Sequence, residues 1–168
     1  MLRLGFDAKR LFNNFTGLGN YSRTLVRNLA TYYPHNTYFL YTPKVTKNEE
    51  TQFFINSPLF NLQLPSGRMG AYWRSYGVRK DLQKHKVQLY HGLSHEIPFG
   101  LEKLGIPGVV TIHDLVFKHH PEYYPWTDRL IYDQKFRYAC RHADRTHAPR
   151  QPAHRRHERE QGTRQGGV

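Results

Sequence analysis

The chain has 168 residues, 38% hydrophobic and 14% aromatic, with a formal net charge of +12. That length suits one domain with a real core, and twelve Tyr and ten Phe exclude a largely disordered chain. No apolar run approaches the roughly 20 residues of a bilayer span, and Asp7 and Lys9 arrive too early for a signal-peptide core. The single cysteine, Cys140, excludes an internal disulfide, reads as a small buried residue on a helix, and fits a reducing cytoplasm.

In chain order, Leu2 to Asp7 reads as a first strand, followed by a polar, glycine-bearing loop from Asn13 to Asn20. Tyr21, Leu25, Leu29 and Tyr32 then recur at helical spacing until Pro34 ends the run. Thr37 to Thr42 reads as a second strand, and Gln52 to Asn56 and Phe60 to Leu64 as shorter β-like pieces. Residues 68 to 86 form a basic helix with Met69, Tyr72, Trp73 and Tyr76 on one face, expected in the core. Val87 to Tyr90 and Gly108 to Ile112 are further strands. The first is followed by His91, Ser94, His95 and Glu96, and the second exits into His113-Asp114. A loop rich in histidine and aromatics runs to Pro125, and a helix from about Trp126 to His142 sets Tyr132, Phe136, Ala139 and Cys140 on one face. Strands alternating with helices predict an α/β domain of three layers around a mainly parallel sheet, covering residues 1–144.

After Asp144 the composition changes. Six arginines against two glutamates give residues 145–168 a net charge of +4 out of the chain's +12, and no large apolar residue occurs until Val168. Such a segment cannot bury enough surface to offset its ordering entropy, so a basic, disordered tail is expected.

Three places could carry chemistry. Gly17 and Gly19 precede a helix whose free N–H groups and dipole favour a phosphate, although Ser22 stands where a dinucleotide fingerprint has its third glycine. A plain turn explains the same residues equally well. His113 at a strand exit could bond a sugar hydroxyl or take a proton, with Asp114 orienting it, or it could be satisfied by nearby backbone. His91, His95 and Glu96 leave a neighbouring strand toward the same rim; their spacing, with His113, matches no strong zinc pattern, so no metal is expected. The basic helix reads either as a solvated face or as a contact with an anionic membrane.

Asn14-Phe15-Thr16-Gly17-Leu18-Gly19-Asn20-Tyr21, Tyr90-His91-Gly92-Leu93-Ser94-His95-Glu96-Ile97-Pro98 and Val110-Thr111-Ile112-His113-Asp114-Leu115, in this order, resemble the N-terminal half of a family 4 glycosyltransferase. The resemblance runs from about Leu2 to Asp144 and implies one Rossmann-like half of a GT-B fold. It implies that Gly17, Gly19 and Asn20 lie beside the donor's phosphates and sugar, and that His113, with Asp114, meets the transferred sugar. It also implies that Arg10, His91, His95 and Glu96 shape the acceptor site. The implied reaction is retaining and metal-independent, needs no cofactor, and moves a hexose from a nucleotide sugar to a glycan or lipid-linked acceptor. Many members touch the membrane surface, so the implied place is the cytoplasm, peripheral to the inner face of the membrane. Family members continue with a second domain that holds the nucleotide sugar. The basic stretch in its place reads as a truncation or frameshift, with a genuine basic tail as the rival, and a chain without that domain is expected to be inactive alone.

Two readings from other classes remain: nucleic-acid binding through the basic tail and helix, and a non-catalytic membrane-surface module. No RNA- or DNA-binding motif occurs and the tail lacks interleaved aromatics, which disfavours nucleic acid.

Overall fold

A computed structural model describes residues 1–67, 69–123 and 125–147. Six strands, β1 (Arg3–Asp7), β2 (Thr37–Tyr41), β3 (Phe60–Gln63), β4 (Leu89–Gly92), β5 (Gly108–Thr111) and β6 (Arg145–His147), form one sheet in the order β3-β2-β1-β4-β5-β6. Every pairing is parallel, with Phe6 opposite both Leu40 and His91, and Val110 opposite Gly92. The expected three-layer α/β architecture is present. Strand alternation divides the core: Leu4, Phe6, Tyr38 and Leu40 point to one side, Phe39, Tyr41, Tyr90 and Val110 to the other. The chain order reverses between β1 and β4, which opens the crevice where doubly wound sheets bind ligands.

Helices α1 (Lys9–Asn13), α2 (Gly17–Tyr32) and α3 (Glu49–Asn56) belong to the first side. On the second side lie α4 (Gly70–Tyr72), a π-helical turn (Trp73–Gly77), α5 (Val78–Lys84) and the long α7 (Trp126–His142); a short α6 (Val116–His119) precedes α7.

Several expectations are corrected. The polar loop shrinks to Asn14–Thr16, because Lys9–Asn13 is helical and both glycines fall in the first turn of α2. The buried face of α2 is Gly19, Ser22, Arg23, Val26 and Ala30; Leu25 and Leu29 flank it and Tyr32 is exposed. Gln52–Asn56 is not a strand. Asn48 and Thr51 form a reciprocal capping box that starts α3. The long basic helix is interrupted by the π turn, which advances the helical phase. It buries Arg74 and Ser75 and leaves Met69, Tyr72 and Tyr76 exposed rather than in the core. Arg68 lies outside the described residues. Cys140 is exposed, and Ala139 is the buried residue of α7. The histidine-rich loop contains α6 and a 3-10 turn at Pro121–Tyr123. Beyond Asp144, residues Arg145–His147 pair with β5, and the tail reading of 148–168 lies outside the described residues.

Candidate functional site

The C-terminal ends of β1, β4 and β5 deliver most of the residues singled out in the sequence to one edge. Lys9 and Arg10 follow β1, Leu93 to Glu96 follow β4, and Ile112 to Asp114 follow β5. Between them opens a cleft, partly open to solvent, lined by Arg10, Leu18, Ser94, His95, Glu96, Asp114, Tyr132 and Lys135. Leu18 comes from the first turn of α2, and Tyr132 and Lys135 from α7.

The two glycines differ. A Cβ on Gly19 would lie 1.6 Å from the Asn14 carbonyl oxygen, so Gly19 is required by close packing of the loop against the helix. Gly17 is exposed and faces open space. The Asn14 side-chain oxygen accepts from the Gly19 N–H at 2.9 Å and from Thr16 at 3.1 Å, tightening the entry to α2. Asn20 is exposed and accepts from Arg23 at 2.6 Å; the same guanidinium donates to the carbonyls of Leu11 and Asn14 and pairs with Glu50. Arg23 thereby pins the loop from within.

After β4, Gly92 allows the chain to fold back, since a Cβ there would sit 2.0 Å from the Glu96 carbonyl oxygen. His95 adopts a left-handed φ of 59°, its N–H donating to the Thr111 carbonyl at 2.9 Å. Its Nδ1 is buried with no hydrogen-bond partner among the described residues, and burial, above all, holds the imidazole below its ordinary pKa, so the ring favours the neutral form. The His113 ring lies 5.5 Å from that of His95, and its Nε2 donates to the Leu93 carbonyl at 2.8 Å. His91 instead faces inward within β4, Nε2 2.9 Å from the Thr111 hydroxyl and the ring beside Phe6. It does not line the cleft.

Beneath the cleft lies an ion-pair chain with no signal in the sequence. Arg74, 8% exposed, donates from Nε and one terminal nitrogen to both oxygens of Asp7, 3% exposed, at 2.5–3.0 Å. Its other terminal nitrogen pairs with Glu96, whose second oxygen is 2.7 Å from Lys135 Nζ. Burial raises the Glu96 carboxyl, but Arg74 and then Lys135 outweigh it and hold the pKa below its ordinary value. Burial, reinforced by Arg74, lowers the Lys9 ammonium. The chain thus joins β1, the π turn, the loop after β4 and α7, bracing both walls of the cleft. Glu96 is therefore already ion-paired on both oxygens, while Arg10 adds a further cation to the rim.

Among the described residues, no group of three or more His, Cys, Asp or Glu is placed to hold a metal ion, and His91, His95 and His113 do not converge as ligands. No described helix is long and apolar enough to cross a membrane.

No curated protein and no solved structure matches the chain. The family model of Glycosyltransferase Family 4 matches residues 15–166, a range that begins at the α2 entry loop and continues beyond Asp144. With the parallel sheet, the glycine turn opening α2 and the cleft beside His113, that match settles the assignment: the chain belongs to Glycosyltransferase Family 4.

Proposed function

We propose that this domain serves hexosyl transfer from a nucleotide-sugar donor to a glycan or lipid-linked acceptor. The observation that carries the reading is the convergence of Leu18 at the α2 entry, the His95 turn and Asp114 on one cleft at the β1/β4 switch, with the His113 ring 5.5 Å from that of His95. Gly17 and the first turn of α2 face the donor diphosphate, where backbone N–H groups and the helix dipole favour negative charge. Gly19 supports that turn without touching the ligand. His113 and Asp114 meet the transferred hexose, and Arg10 and His95 meet the acceptor, with Tyr132 offering an aromatic face. Glu96 acts there chiefly through its ion pairs, holding Lys135 and the loop. The transfer retains anomeric configuration without a metal ion, and the protein works in the cytoplasm.

Saturation-transfer NMR with a panel of nucleoside-diphosphate hexoses tests this reading. Binding of at least one donor is expected in the full chain, weakened at least tenfold in His113→Ala, which corresponds to about 1.4 kcal/mol. A panel without any binder, or His113→Ala binding as the wild type does, would contradict it.

A second reading concerns the surface. Met69, Tyr72 and Tyr76 are exposed, the two tyrosine rings stack at 5.4 Å, and Lys80, Lys84 and Lys86 are exposed nearby. Amphipathic aromatics beside lysines suit the headgroup layer of an anionic membrane, with the catalytic edge held near a lipid-linked acceptor. Cosedimentation with phosphatidylglycerol vesicles should drop on Lys80→Glu/Lys84→Glu; unchanged sedimentation would remove this reading. Retention on single-stranded nucleic acid that survives this double substitution would favour the nucleic-acid alternative instead.

A further inference from the structure

We propose that Tyr21 is a positioning residue that holds the His113 imidazole in one orientation and one tautomer; this rests on the reading that His113 meets the transferred hexose. His113 Nε2 lies 2.8 Å from the Leu93 carbonyl oxygen. A carbonyl only accepts, so Nε2 carries the proton, and Nδ1 of the neutral ring is left as the acceptor.

One hydrogen bond leaves the ring free to swing about its Cβ–Cγ bond, a torsion with a broad minimum. Tyr21 closes a second side. Its ring meets His113 edge to face, centroids 4.8 Å apart and planes at 86°. Tyr21 is anchored in turn, its hydroxyl 3.1 Å from Thr111 Oγ1. That hydroxyl belongs to a fully buried residue at the end of β5 and also lies 2.9 Å from His91 Nε2. The anchor therefore starts two residues before His113, crosses to α2, and returns onto the His113 ring. Tyr21 is only half-buried and lies off the apolar Val26–Ala30 face of α2, so core packing does not call for it. The arrangement ties the glycine turn at the start of α2 to His113, and the phosphate-facing and sugar-facing parts of the site move together. It also gives His91 a place: it steadies Thr111 from behind the cleft.

Long-range ¹H–¹⁵N NMR of the histidine rings in the full chain, with no sugar present, tests the proposal. Wild-type His113 should show the Nε2–H tautomer with its proton shielded from exchange. Tyr21→Phe should speed that exchange roughly two- to tenfold, the worth of one aromatic or hydroxyl contact. Thr111→Val should do the same, and the double variant should add little to either. Tyr21→Leu should go further and let the second tautomer appear. If Tyr21→Leu does not fold, Tyr21→Phe decides. A wild-type Nδ1–H tautomer, or unchanged exchange and tautomer in a folded Tyr21→Phe, would overturn it. A nucleotide-hexose titration that leaves His113 unmoved would instead sink the sugar-contact reading, a separate outcome.

Discussion

Gly17 and Gly19 sit two positions apart and have different work. At Gly19 an added methyl collides with the Asn14 carbonyl, so Gly19→Ala must displace the loop and should cost about 1–3 kcal/mol in urea denaturation. Gly17→Ala meets open space in a helical first turn and should leave stability within about 1 kcal/mol of the wild type. Any loss of donor binding in a fully stable Gly17→Ala then reports on the ligand, not the fold. The two glycines were visible in the sequence, but their difference was not, because it depends on where the Asn14 carbonyl lands. His95 is similar: its place near the rim was legible, whereas its left-handed backbone and orphaned Nδ1 arise from the turn that Gly92 permits.

At the scale of elements, the π turn is the least legible and most consequential feature. Apolar spacing alone put Met69, Tyr72 and Tyr76 inside; the turn instead carries Arg74 inside to Asp7 and Glu96. A periodicity argument has no means to place a buried cation whose two carboxylate partners lie 67 residues upstream and 22 downstream. Arg74→Met would leave both carboxylates without their shared partner and should destabilise the domain by about 3–5 kcal/mol, measured by urea denaturation. Strands β1, β2, β3 and β5 are legible in the sequence, since short β-branched and aromatic runs bounded by Pro and Gly signal buried parallel strands, whereas β4 lies two residues beyond the expected Val87–Tyr90. Gln52–Asn56 is helix rather than strand because the capping box at Asn48 and Thr51 prevails over the β-like apolar pair Phe53-Phe54. At β6, three polar residues join the sheet through backbone bonds, a pairing that side-chain hydropathy does not report.

For the whole molecule, stability should follow pH through groups whose folded pKa is depressed. His95 and His85 both fall below the ordinary value of 6.5, chiefly through burial. Their stabilisation is complete above that value and declines as pH drops below it, because the unfolded chain then binds more protons. Glu96 is held below its ordinary 4.5 despite burial, so its contribution is whole above that value and is lost as pH falls through the folded pKa. Urea midpoints from pH 8 to pH 3 should therefore decline in two stages. His95→Asn should flatten the first stage and Glu96→Gln the second; profiles unchanged by either substitution would contradict the assignment.

The proposed site is a single cleft at the β1/β4 switch for both the sugar nucleotide and the acceptor. A backbone shift map of the full chain, titrated with nucleoside-diphosphate hexoses and then with short glycans, tests it most directly. Donors should perturb Gly17 to Asn20 and His113-Asp114, and glycans should perturb Arg10, His95 and Tyr132. Perturbations confined to the Met69–Lys84 surface, or absent from the cleft for every ligand, would contradict it.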